Sequence, residues 1–188
     1  MPAEITYKGI PASSGISIGK AFLYTRNEFD INPQIVAESD ITKELEEFKR
    51  AISLSKKELE KIRTLSHEKI GEKNSMIFDA QLDILNDKYF THKIELRILA
   101  DRRTASFVFD DEMTKVGEII KNSGDEYMKE RFADFTDVKN RVIRNMKKEK
   151  LVSKVEENSI IIAYELTPAD TILFSKRKVQ GYATDRGG

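Results

Sequence analysis

Apolar positions along this chain follow two periods, and the switches between them divide it into three stretches. Residues 1 to about 24 read as strands and turns. Ile16, Ile18, Ala21 and Leu23, with Phe22 and Tyr24, form a β-rich run after the turn Pro11-Ala12-Ser13-Ser14-Gly15. A polar connector with Pro33 in it runs from Thr25 to about Glu38. From about Ser39 to Lys150 the period is helical. Ile41, Leu45, Phe48, Ile52, Leu59 and Ile62 recur at steps of four and three, with one turn missed at Ser55, which predicts a long helix with a narrow apolar seam behind an N-cap at Ser39 or Asp40. Gly71 ends it. A second helix is expected from about Lys73 to Asn86, a break near Asp87, and a shorter piece holding Phe90, Ile94 and Ile98. A third carries Phe109, Met113, Val116 and Ile120 and stops at Gly124; a fourth carries Met128, Phe132, Phe135, Val142 and Met146.

After Lys150 the pattern turns back. Ser159-Ile160-Ile161-Ile162-Ala163 is an all-apolar, β-branched run, as in a strand buried on both faces. Thr167-Pro168-Ala169-Asp170 then reads as a helix start, with Thr at the N-cap, Pro at N1 and a carboxylate at N3. Val179 to Thr184 is the next strand. The expected fold is therefore α+β: residues 1–34 and 151–188 make a partial α/β layer, interrupted by an inserted antiparallel helical bundle over 35–150.

Composition removes several function classes. Lys plus Arg equals Asp plus Glu, so the net charge of zero argues against a general polyanion binder or a membrane-surface protein. With no cysteine, neither a disulfide framework nor a Cys-based metal site can form, which suits the cytoplasm. No apolar run reaches the ~18 residues of a membrane span, and the first residues do not read as a secretory signal. The basic run Lys139, Arg141, Arg144, Lys147, Lys148 and Lys150 interleaves with Val142 and Met146, so it reads as a solvated helix face rather than a nucleic-acid site.

Two places remain as candidate chemistry. Gly187-Gly188 follows a strand and suits close approach of an anion to backbone. Ile84, Leu85, Tyr89 and Phe90, at the break after the second helix, hold more apolar groups than one buried face absorbs. They are either core or an exposed apolar spot rimmed by Glu72, Asp79 and Asp87 that fits a small partner.

In order, the segments Gly9-Ile10-Pro11-Ala12-Ser13-Ser14-Gly15-Ile16, Ile77-Phe78-Asp79-Ala80-Gln81-Leu82-Asp83-Ile84-Leu85-Asn86-Asp87, Asp125-Glu126-Tyr127-Met128-Lys129-Glu130-Arg131, Leu166-Thr167-Pro168-Ala169-Asp170-Thr171 and Gly181-Tyr182-Ala183-Thr184-Asp185-Arg186-Gly187-Gly188 resemble the N-terminal part of enzyme I of the bacterial phosphoenolpyruvate-dependent sugar phosphotransferase system. The resemblance implies a phosphotransferase that moves phosphoryl from phosphoenolpyruvate onto a histidine and on to the phosphocarrier HPr. It implies that the α/β layer is a partial phosphohistidine subdomain with Thr184, Asp185, Gly187 and Gly188 in its loop. The nucleophile of the family follows the glycine pair in Gly-Gly-x-Thr-Ser-His and so lies beyond Gly188; neither His67 nor His92 matches it. By itself this chain is then expected to dock HPr and not to catalyse. Phosphoenolpyruvate, Mg²⁺ and the homodimer contacts belong to a C-terminal domain of the full-length enzyme. The residues matching the family's HPr-binding surface are Glu72, Asp79, Asp83, Ile84, Lys88, Tyr89, Phe90 and Arg131. The chain departs from the family pattern at Gln81, where some relatives carry histidine, at Lys73 and Lys88, where acidic residues are frequent, and at Arg186, where a small residue is usual. Two other readings remain: the swivelling segment of a pyruvate phosphate dikinase-like enzyme, and a helical interaction module without phosphoryl chemistry.

Overall fold

The computed structural model describes residues 4–25, 29–126, 129, 131–149 and 155–186, with backbone alone at 69–70 and 72–74. Helix α1 (Ile41–Ile70) is 30 residues long and therefore spans about 45 Å. Its seam buries Phe48, Ala51, Ile52, Leu59 and Ile62. Gly71, at φ 84°, reverses the chain into α2 (Glu72–Asn86). Helices α3 (Lys88–Asp101), α4 (Ala105–Lys121) and α5 (Phe132–Met146) complete the bundle. Side-chain pairs fix the directions. Arg63 meets Asp79 and Asn145 meets Ser55, so α2 and α5 both run antiparallel to α1. Arg97 meets Asp111 and Lys139 meets Thr114, so α4 runs antiparallel to α3 and α5.

One continuous core holds these helices. Phe48, Phe78, Phe109, Ile94, Ile98 and Val142 are all shut from solvent, each contributing roughly 1.5–3 kcal/mol by leaving water. Phe29 and Ile31 of the connector pack against it. The connector also pairs with the start of α4, through the Ile35–Arg103 bridge and the bond from Val36 N–H to the Arg102 carbonyl. Glu44 of α1 accepts from the Ala105 N–H at 2.7 Å, and Thr104 accepts from Phe107, so two of the free donors at the head of α4 are satisfied.

The gap in the α1 seam is filled with polar atoms. Ser55 is fully buried; its hydroxyl donates to the Ala51 carbonyl at 2.7 Å and accepts from Asn145 Nδ2 at 2.9 Å. One turn on, Glu58 Oε2 receives Arg141, Arg144 and Asn145. This corrects the expectation of a solvated basic face on the fourth helix: Arg141 and Arg144 are 6% and 7% exposed. α5 is enclosed by α1 and α4, and the cations are neutralised from inside by a carboxylate of α1. Burial, with Arg144 beside it, lowers the Arg141 pKa.

The expected strands pair in parallel in the order β1 (Ala21–Tyr24), β2 (Ile160–Ala163), β3 (Gly181–Thr184), with Leu23 level with Ile162 and Ala183. Helix α6 (Pro168–Ser175) joins β2 to β3. Its capping box forms as the sequence predicts: Thr167 Oγ1 accepts from the Asp170 N–H and Asp170 Oδ2 from the Thr167 N–H. Asp170 also accepts from the Tyr24 hydroxyl at 3.2 Å, tying the helix start to β1. Phe174 packs edge-on against Tyr24, with ring centroids 5.0 Å apart, while Ala169 and Ile172 join the helical core.

Two strand expectations need correction. Ile16 and Ile18 lie outside any strand and are 96% and 89% exposed, because pairing begins only at Ala21. β2 is covered on one face only. Ile161 and Ala163 are buried, whereas Ile160 and Ile162 stay half-exposed and Leu23 beside them is 69% exposed. Among the described residues a single helix, α6, lies on this three-stranded layer, on the face of Ile161 and Ala163. The fourth helix begins at Phe132; Met128 lies outside the described residues.

Candidate docking surface

The break between α2 and α3 is made by one side chain. Asp87 is extended (φ −64°, ψ 105°), and its Oδ1 accepts from Tyr89 N–H at 2.8 Å and Phe90 N–H at 3.0 Å. Its own N–H still bonds the Asp83 carbonyl. Asp87 thus ends one helix and caps the next. The kink separates two neighbours that look alike in sequence: Tyr89 points outward, 83% exposed, and Phe90 turns in and packs on the core. Lys88 is exposed beside Tyr89.

Helical geometry sorts the candidates on α2. Phe78, Gln81, Leu82 and Leu85 are buried, so Met76 and Asp83 lie on the outward side and are exposed. Ile77 and Ile84 occupy one flank, half-buried against the core. Asp79 occupies the opposite flank. There it meets Arg63 of α1 at 2.8 Å and borders an open groove of about 370 Å³, lined also by Thr64, His67, Glu68 and Ser75. Asp79 is therefore parted from Ile84 by the width of the helix. Glu72 is a backbone position only, and its side chain lies outside the described residues.

Arg131 enters through α5. It stands at the N-cap of that helix, and its Nη1 is 3.2 Å from Asp134 Oδ2. The other oxygen of Asp134 accepts from Gln81 Nε2 at 3.4 Å. Next in sequence, Phe132 lies over Gly117 of α4, where a Cβ would stand 3.2 Å from its ring. The head of α5 is thus bound to α2 on one side and to α4 on the other. Met76, Ile119 and Phe132 are exposed at 61%, 71% and 37% on these elements. Sequence reading missed all three. The available signal was periodic: Met76 falls outside the buried stripe of α2, and Ile119 sits beside the buried Ile120. Lys88 and Tyr89 are exposed at the turn between α2 and α3, Asp83 faces out from α2 one turn after Asp79, and Arg131 is tied to α2 through Asp134 and Gln81. Phe90 is turned in, and Ile84 is half-buried on the flank away from Asp79.

The second candidate lies at the C-terminal edge of the sheet. Thr184 closes β3, and the backbone then bonds back to β2, from Asp185 N–H to the Ala163 carbonyl and from Arg186 N–H to the Tyr164 carbonyl. The Arg186 guanidinium lies 5.5 Å from the centre of the Tyr164 ring. Tyr182 donates to the Thr171 carbonyl at 3.2 Å, and burial raises its pKa. Gly187 and Gly188 lie outside the described residues. His67 is on α1 and His92 on α3, so neither belongs to this edge. Among the described residues no three His, Asp or Glu side chains converge as metal ligands, so they do not fit a Mg²⁺ ion. No described helix is long and apolar enough to cross a membrane.

The chain is 37% identical to the phosphoenolpyruvate-protein phosphotransferase of Staphylococcus epidermidis over 96% of its own length and 32% of that protein. It is 35% identical to the enzyme of the same name from Geobacillus stearothermophilus, over 98% of this chain and again 32% of the relative. It thus spans about a third of the length of these relatives. Among solved structures it resembles a solution structure of an Enzyme I protein, with TM-score 0.81 and 36% identity over 94% of this chain and 72% of that one. The N-terminal domain of Enzyme 1 - Nitrogen shares the fold at TM-score 0.69 and 16% identity, over 90% of this chain and 69% of that one. Residues 8–131, which hold β1 and helices α1 to α4, match the family described as PEP-utilising enzyme, N-terminal, and to that family this chain belongs.

Proposed function

We propose that this chain is the carrier-docking part of a phosphoenolpyruvate-protein phosphotransferase, with HPr as its partner. In this reading residues 35–150 dock the carrier, and 1–34 with 151–188 form part of the phosphohistidine layer. The observation that carries it is the outward side of α2 and the turn into α3. Met76 and Tyr89 are exposed there beside Asp83 and Lys88, and Arg131 at the head of α5 is joined to α2 through Asp134 and Gln81. An apolar centre excludes water while rim charges raise the encounter rate. A relay partner must leave quickly, which suits an interface of about 800 Å² per partner or less. In this reading phosphoenolpyruvate, Mg²⁺ and dimerisation belong to other parts of the parent enzyme.

The test is a titration of HPr from a staphylococcal or bacillary source into the labelled chain, following backbone amide shifts. Movement is expected at residues 76–90 and 131–132. No movement at millimolar HPr would leave a helical module without this partner.

A further inference from the structure

We infer that Asp134, held by Gln81, is a positioning residue that sets Arg131 on the docking surface. The inference rests on the docking reading above and adds to it the device that orients its cation. Asp134 sits at the third position of α5, where a carboxylate ordinarily reaches back to cap the helix. Asp170 does so at the same position of α6. Asp134 does not: its bonds run sideways, Oδ1 accepting from Gln81 of α2 and Oδ2 from Arg131. The geometry forgoes a cap and builds a bridge between helices.

Burial makes the bridge specific. Asp134 is 7% exposed and Gln81 1%, whereas the Arg131 side chain is 38% exposed. A buried carboxylate needs a paired cation, so Arg131 is drawn to one place at the helix head. A guanidinium has five donors in a rigid fork. Engaging one end of that fork on a fixed carboxylate sets its plane for a partner group. Gln81 fixes the carboxylate in turn, and its own Oε1 is buried without a protein partner, so the bond to Asp134 is what orients the amide. A buried polar atom left unmatched is uncommon, and Gln81 tolerates it while keeping its bond to Asp134.

A double-mutant cycle on the 188-residue chain tests this with HPr as the probe. Affinity is measured for the wild type, Asp134→Asn, Arg131→Gln and the pair, with amide spectra confirming the fold of each. Asp134→Asn keeps the shape and loses the charge. Alone it is expected to weaken HPr binding about tenfold, in line with loss of a charged group at an interface, and less than about twofold in the Arg131→Gln background, as expected of coupled residues. Gln81→Met, which keeps volume and removes the donor, is expected to show a smaller loss that also vanishes without Arg131. Equal losses in both backgrounds, or no loss from Asp134→Asn, overturn the inference while docking stands. If the wild type does not bind HPr, the docking reading falls and takes the inference with it.

Discussion

At residue 58 one carboxylate answers for two buried guanidiniums. Glu58 is about one-third exposed, and Arg141 and Arg144 reach it from the far helix with side chains 5% and 8% exposed. Removing one member of such a set leaves an uncompensated buried charge, at a cost of about 3–5 kcal/mol. Glu58→Gln is therefore expected to lower the chemical denaturation midpoint sharply with an unchanged slope. Glu60→Gln, at an exposed position of α1, is the control and should stay within about 0.5 kcal/mol. This cluster was only half legible in the sequence. The missing apolar step at Ser55 was visible, and so was the row of cations on the last helix. That the two face each other is a matter of helix pairing, which periodicity within one segment does not encode. At the docking side, the sequence pointed to Tyr89 and Phe90 as a pair. Only the kink at Asp87 tells which one is available to a partner.

Among the elements, α3 and α4 are joined by charge as well as by the shared core. Arg97 meets Asp101, Asp111 and Glu112, and Lys93 meets Glu112 at 2.7 Å. Burial opposes the charge on Arg97, but bonds from Asp111, Asp101 and Glu112 outweigh it and raise its pKa. Burial likewise works against ionised Glu112, yet Lys93 and Arg97 together bring its pKa below the ordinary 4.5. Asp111 is held below 3.8, first by Lys115 and then, against the effect of burial, by Arg97. A carboxylate with a depressed folded pKa stabilises above its unfolded value, and that contribution is lost as pH falls through the folded one. Glu112→Gln is therefore expected to be less stable than the wild type at pH 7. The gap should shrink as pH drops below the ordinary 4.5, when urea midpoints are compared across the range. A gap independent of pH would assign the loss to packing. At the junction before α3, Asp87→Ala removes a cap that serves two amides and should cost about 1 kcal/mol. The same substitution should weaken HPr binding, since Tyr89 is aimed by that turn. The helices themselves were legible where each buries one stripe; α5, buried all round from Arg141 to Met146, was the exception. The strands were less so. β-branched runs announce a sheet but not how many layers cover it, and Ile160 and Ile162 look the same in sequence whether one face or two are packed.

For the molecule as a whole, the comparisons establish family and fold over nearly its entire length, while the relatives named phosphoenolpyruvate-protein phosphotransferase are about three times as long. The two histidines lie on α1 and α3, away from the sheet edge that ends in Asp185. Incubated with labelled phosphoenolpyruvate and a full-length staphylococcal relative, this chain is expected to gain no acid-labile label. Stable labelling at His67 or His92, located by mass spectrometry, would replace the docking reading with a catalytic one.

The two-turn helix α6 belongs to both apolar clusters at once: Phe174 sits among the aromatics of the sheet, and Ala169 and Ile172 sit among the side chains of the bundle. Tyr24 holds its first turn through Asp170. A displacement of the layer that kept this bond would have to disturb Ala169 and Ile172 among the bundle side chains, so the short segment couples the sheet mechanically to the helices.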